Sequence, residues 1–220
     1  SRYVRQLGAK QVFEAPQAVD NEFWASPATD PIPTIPFRAM FVGRFEREKG
    51  IECLLSAWHQ LNLPHGETEL LVVGEGTLQP ERLAKQASVR FAGHLDREQL
   101  RNSYAGSDVL VLPSLHTRNF REPWGLCVNE AMNQSTTVIT SDQVGAAAGG
   151  LVQNGKNGLV VPAGSAERLS SALLELYSNP TLRKSLGNAG SEAVTSYTHE
   201  AWVSSFTTAI ESATVVRSTC

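Results

Sequence analysis

Two short segments hold the residue types that could do chemistry. In Val42-Gly43-Arg44-Phe45-Glu46-Arg47-Glu48-Lys49-Gly50, a guanidinium fork, an ammonium and the start of a helix follow one another closely. Each can hold an anion: the fork through paired hydrogen bonds, the ammonium as a point charge, the helix start through unpaired amides. Taken alone, the segment reads as a solvated charged turn, because Glu46 and Glu48 cancel two of the charges. The second segment is Glu122-Pro123-Trp124-Gly125-Leu126, followed by Glu130. Here a proline fixes an acid at the mouth of a helix, and the amides of Trp124, Gly125 and Leu126 are free to donate. Singly, Glu122 reads as a loop carboxylate and Glu130 as part of a polar helix face. Other chemistries lack their residues. Gly74-Glu75-Gly76 misses the third glycine of a dinucleotide fingerprint, and no P-loop, Asp-x-Asp pair or Gly-x-Ser-x-Gly elbow occurs. The histidines (His59, His65, His94, His116, His199) show no ligand spacing, so no metal site is expected.

Those residues need a scaffold. The 220 residues carry 19 basic and 22 acidic side chains, a net charge of −3, and 41% are hydrophobic. That length suits one large domain, or one domain plus pieces of another, and it can bury an ordinary core without staples. The mild acidity offers no cationic face of the kind nucleic acid requires, so no nucleic-acid partner is expected. The densest apolar runs, 70–73 and 109–112, are strand-sized and far short of the roughly 18–20 residues of a membrane span. Cys53, Cys127 and Cys220 are odd in number and far apart, which argues for a reducing compartment and a cytoplasmic location. The chain starts at Ser1 with no signal-peptide pattern and reads as a fragment.

Short apolar runs alternate with amphipathic stretches. Residues 39–42, 70–73, 89–92, 109–112, 137–140 and 159–161 read as strands of continuous apolar character. Between them the spacing predicts helices over 50–63, 80–86, 96–105 and 125–132, then over 165–177, 179–191 and 198–213. Asp96 with Gln99 forms a reciprocal cap, and Ser165, Asn179-Pro180 and Thr198 open later helices. The pattern predicts an α/β fold: a Rossmann-like parallel sheet with helices on both faces. In such sheets ligands bind at the carboxyl ends of the strands, so the loops at Gly43, Gly74, Gly93 and Pro113 form one functional rim. The first 37 residues differ. Residues 1–8 read as a helix, 11–15 as a short strand, and 16–36 as a Pro-, Asp- and Ala-rich linker. Together they read as the tail of a preceding domain.

In order along the chain stand Val42-Gly43-Arg44-Phe45 with Lys49-Gly50, Val73-Gly74-Glu75-Gly76 and Phe91-Ala92-Gly93-His94-Leu95. The segment from Tyr104-Ala105-Gly106-Ser107-Asp108 through Leu112-Pro113-Ser114 follows. Next come Glu122-Pro123-Trp124-Gly125 with Glu130-Ala131-Met132, and finally Asn157-Gly158-Leu159-Val160-Val161-Pro162. Together these motifs resemble the donor-binding half of a retaining glycosyltransferase of family four, with the GT-B fold. The resemblance covers about residues 38–197. It implies that 1–37 end an N-terminal domain and its linker. Residues 38–197 would bind a nucleotide diphosphate sugar, and 198–220 would form a helix that packs back on the N-terminal domain.

The resemblance also implies roles. Arg44 and Lys49 would hold the diphosphate and stabilise it as a leaving group without a metal, and Glu122 would meet the sugar ring. Gly43, the amides of Trp124, Gly125 and Leu126, and the backbone at His94 and Leu95 would line the donor site, the last two at the base edge. Glu130 would accept from both ribose hydroxyls. No cofactor is implied beyond the nucleotide diphosphate sugar, which is the donor substrate. The N-terminal domain would bring the acceptor, and the full enzyme would transfer a hexose to a hydroxyl with peripheral membrane contact left open. The chain departs from the family pattern at Asn133-Gln134-Ser135-Thr136-Thr137, where a glycine and a proline are replaced, so the turn after that helix should differ. It departs again at Val144–Gly150, which has no acid before Leu151. In the last helix Trp202, Val203, Phe206, Ala209, Ile210 and Ala213 make an apolar stripe, expected to be exposed in part or buried in a dimer. A non-catalytic nucleotide-sugar-binding module and a nucleotide-sugar epimerase on the same fold stay open as alternatives.

Overall fold

The computed structural model describes residues 5–217 apart from 31, 65 and 85, so the start of the helix expected over 1–8, together with Cys220, lies outside the described residues. Six strands form one parallel sheet: β1 Phe37–Val42, β2 Thr68–Val73, β3 Val89–Gly93, β4 Val109–Leu112, β5 Thr137–Ser141 and β6 Leu159–Val161. Their order is β3-β2-β1-β4-β5-β6. The helices are α1 Asn21–Ala25, α2 Ile51–Leu61, α3 Arg97–Ala105 and α4 Leu126–Asn133, then α5 Gly145–Ala148, α6 Ala166–Ser178, α7 Pro180–Val194 and α8 His199–Arg217.

Alternate residues of a strand point to opposite faces, so strands covered on both sides must be apolar throughout. In β1, Phe37, Ala39 and Phe41 join Trp58 of α2 and Leu173 of α6 in one core, while Met40 joins Tyr104 of α3 and Met132 of α4 in the other. Helix starts follow their caps. Asp96 and Gln99 exchange side-chain and backbone hydrogen bonds at α3, and Ser165 and Asn179 accept from Arg168 and Leu182 amides at α6 and α7.

The expectations for residues 11–15, 16–36 and 80–86 are corrected. Residues 11–15 carry no strand, and the helix expected over 80–86 shrinks to the 3-10 turn Pro80–Arg82. The stretch 16–36 holds α1, capped by Asp20, with Trp24 only 4% exposed and edge-on to Tyr104 at 5.9 Å. Asn133 donates to Asn21 at 2.8 Å, and the Gln134 amide donates to the carbonyls of Trp24 and Ser26, so this stretch packs on the domain instead of running free. The turn after α4 keeps a left-handed corner without glycine: Ser135 takes φ 57°. Helix α5 falls in the stretch after β5 that no pattern announced. On α8, Trp202 stacks on Phe206 at 5.2 Å, and Trp202, Val203, Phe206 and Ile210 are all exposed. No helix among the described residues is long and apolar enough to cross a membrane.

Candidate active site

Strands β1 and β4 are neighbours where the strand order reverses, the point at which adjoining loops part and leave a crevice. The loop after β1 runs through a 3-10 turn, Arg47–Lys49, into α2. Gly50 ends that turn at φ 73°, and a Cβ there would lie 2.1 Å from the Pro113 carbonyl oxygen. The Leu115 amide donates to the Glu48 carbonyl at 2.7 Å, so the loops after β1 and β4 are joined backbone to backbone. That junction carries Lys49 across the crevice. Its Nζ donates to Oε2 of Glu122 at 2.5 Å, and the Ser114 hydroxyl donates to the same oxygen at 3.0 Å. Glu122 is 6% exposed and the Lys49 side chain 14%, and the ammonium lies 5.2 Å from the Phe120 ring centre. Either charge left alone so far from water would be costly.

The backbone beside Glu122 is clamped from α5. The Gly145 amide donates to the Glu122 carbonyl at 3.1 Å and the Ala146 amide to that of Trp124 at 2.9 Å. A Cβ on Gly145 would meet the Pro123 carbonyl oxygen at 1.8 Å, so only glycine permits this approach. The Trp124 indole is buried and donates to Asn129 at 2.8 Å. Gly125 turns the chain into α4, and the amides of Trp124, Gly125 and Leu126 have no partner among the described residues. Along α4, Glu130 accepts from the Tyr104 hydroxyl at 2.8 Å. Burial pushes the Glu130 carboxyl above the ordinary range, while the Tyr104 hydrogen bond and the Arg97 charge pull it back in part. Burial likewise raises the Tyr104 phenol and the Cys127 thiol, with the Glu130 charge adding to both, so both stay protonated.

Three clefts open on this rim. One of about 270 Å³ is lined by Gly43, Arg44, Gly74, Glu75, His94 and Leu95. A second, about 660 Å³, shares His94 and Leu95 and continues past Trp24, Arg97 and Leu126 to Glu130. The third, about 580 Å³, is bounded by Arg121, Glu122, Pro123, Trp124, Gly145 and Gly149. The residues singled out in the sequence therefore converge in two groups, Lys49 with Glu122 and Glu130 with His94, Leu95 and Leu126. Arg44 borders the 270 Å³ cleft with His94 and Leu95, its side chain 65% exposed and 3.7 Å from Glu48. Ser114, Tyr104 and Gly145 were not singled out as functional, although all three contact the two acids or the chain beside them. The first two lie inside a quoted motif, but their partners are 8 and 26 residues away, a pairing that only the fold discloses. Among the described residues no cluster of three His, Cys, Asp or Glu side chains could hold a metal ion.

Sheet order and flanking helices together define a Rossmann-like domain with a crevice at the reversal of strand order. Its structural likeness to sucrose-phosphate synthase (tll1590) from Thermosynechococcus elongatus has a TM-score of 0.75 at 28% identity, covering 98% of this chain and 56% of that one. Residues 23–193 match the family model for glycosyl transferases group 1, and the chain belongs to that family. It is 31% identical over 196 residues to a glycogen synthase of Mycobacterium tuberculosis strain H37Rv, covering 86% of this chain and 45% of that protein. The chain thus spans about half the length of the curated relatives it matches. The fold also matches that of Anabaena Alr3699/HepE in complex with UDP, with a TM-score of 0.72 at 18% identity over 96% of this chain and 60% of that one. The fold is that of the GT-B glycosyltransferases, as the motifs led one to expect.

Proposed function

We propose that the chain binds a nucleotide diphosphate sugar across the rim and that the protein carrying it transfers the hexose to a hydroxyl acceptor. The observation that carries this reading is the Lys49–Glu122 pair at the β1/β4 reversal, with Glu130 on α4, the helix that follows Glu122. The nucleoside would lie in the clefts past His94 and Leu95, its ribose hydroxyls donating to Glu130 and its base edge meeting the backbone there. The diphosphate would reach the loop after β1. There the Lys49 ammonium, which neutralises Glu122 in the free site, would turn to the phosphate oxygens, and Arg44 would swing in from solvent. Charge grows on the diphosphate as the glycosidic bond breaks, so these two cations would stabilise the transition state more than the bound donor, the part a metal plays elsewhere. Glu122, released from the ion pair, would accept from sugar hydroxyls, and the amides of Trp124 to Leu126 would add donors beside it.

Transfer with retention of anomeric configuration, and an acceptor brought by an N-terminal domain that precedes residue 38, complete the reading. The relatives bear names for different products, so the acceptor is left as a hydroxyl of unspecified parent. The protein carrying this chain should be melted with UDP, GDP, ADP and their sugars. Donor at a hundred times its dissociation constant adds about 2.7 kcal/mol of stability. A shift confined to one base supports the reading and names the nucleotide, and no shift with any of them refutes it.

A further inference from the structure

Tyr104 is fully buried, yet its hydroxyl is spent on an acid at the rim of a cleft. Its ring packs edge-on against Trp24 of α1, and its carbonyl accepts from the Thr136 hydroxyl at 2.8 Å, so contacts from outside α3 fix both the ring and the backbone of the residue. Glu130 comes from α4, and its Oε2 accepts a hydrogen bond from the Tyr104 hydroxyl at 2.8 Å. The other oxygen, Oε1, has no hydrogen bond among the described residues and lies on a residue lining the 660 Å³ cleft. A carboxylate on three rotatable bonds is a loose acceptor; tied by one oxygen, it presents the other in a fixed direction.

We propose that Tyr104 is a positioning residue, which commits one oxygen of Glu130 so that the other meets the ribose hydroxyls of the donor nucleotide. The inference rests on the reading of Glu130 as the ribose contact. A ring needed only to fill the core would do as well without its hydroxyl. The hydroxyl also helps keep Glu130 ionised against burial, the form that accepts from two ribose hydroxyls. The other ionisable groups of that cleft are Asp20, Asp96, Arg97, His94 and His199, with Cys127 on α4 itself.

The test is calorimetric titration of the protein at pH 7.5 with whichever of UDP, GDP or ADP it binds, and with the 2′,3′-dideoxy form of the same diphosphate. Tyr104→Phe keeps the ring against Trp24. It should weaken ribonucleotide binding about tenfold, the worth of one hydrogen bond to a charged group, and leave the dideoxy form within about twofold. Equal losses for both ligands, or no loss for either, overturn the inference. Glu130→Ala checks the underlying reading by itself: it should erase the preference for ribose over dideoxyribose, and a preference that survives shows that Glu130 does not hold the ribose. Should Tyr104→Phe not fold, Glu130→Asp withdraws the acid from the hydroxyl by one methylene. It should give the same ribose-specific loss, and an undiminished preference overturns the inference.

Discussion

The two acids of α4 and its entrance are held in opposite ways. Glu122 is fixed by a charge, Lys49, with the Ser114 hydroxyl on the same oxygen. Glu130 is fixed by a neutral hydroxyl, Tyr104, with no cation in hydrogen-bonding contact among the described residues. A charge partner balances a buried carboxylate and can be drawn away by a stronger anion. A hydroxyl partner leaves the charge unbalanced but never competes for it. The first arrangement therefore suits a group that must change partners when a diphosphate arrives, and the second suits a group that must stay put.

That contrast is open to attack at several points. Gly145→Ala should do the most damage, because the added carbon meets a backbone carbonyl and pushes 122–124 away from Lys49. Loss of more than about 3 kcal/mol in chemical denaturation is expected, in the range of severe core strain. Glu122→Gln should lower transfer by about a hundredfold or more while changing donor affinity far less, measured as kcat against donor Kd in the full protein. Arg44→Ala should cost less binding than Lys49→Ala, since its side chain is largely solvated before donor arrives. Glu130→Gln should raise the melting temperature of the free protein at pH 7.5. Burial raises the folded carboxyl, so its charge costs stability above that raised value. The gain should shrink as the pH falls toward the ordinary carboxyl value of 4.5. The smallest effect is Ser135→Gly, which relieves a left-handed residue at the end of α4 and should add about 1 kcal/mol or less.

The sheet was legible because its signal is local. Strands buried on both faces are runs of apolar residues, and β4 and β6 fall where the runs at 109–112 and 159–161 put them. Capped helices were legible for the same reason. Helix α1 was not: in a segment punctuated by prolines, five residues opened by Asp20 are secured by the single buried indole of Trp24 and by hydrogen bonds to residues 133 and 134. Residues 80–86 were polar enough for a surface helix, but only one 3-10 turn forms. At the site, the charged residues could be named from their motifs, whereas Gly145 reveals its purpose only where its missing side chain lets two loops touch.

On this reading the Lys49–Glu122 pair exchanges partners when a nucleoside diphosphate arrives. Titration of UDP, GDP and ADP into the wild type and into Lys49→Ala tests it most directly. One of the three should bind the wild type, and Lys49→Ala should weaken it by about tenfold or more while the variant remains folded by circular dichroism. Equal affinity of the two proteins for that nucleotide would contradict it.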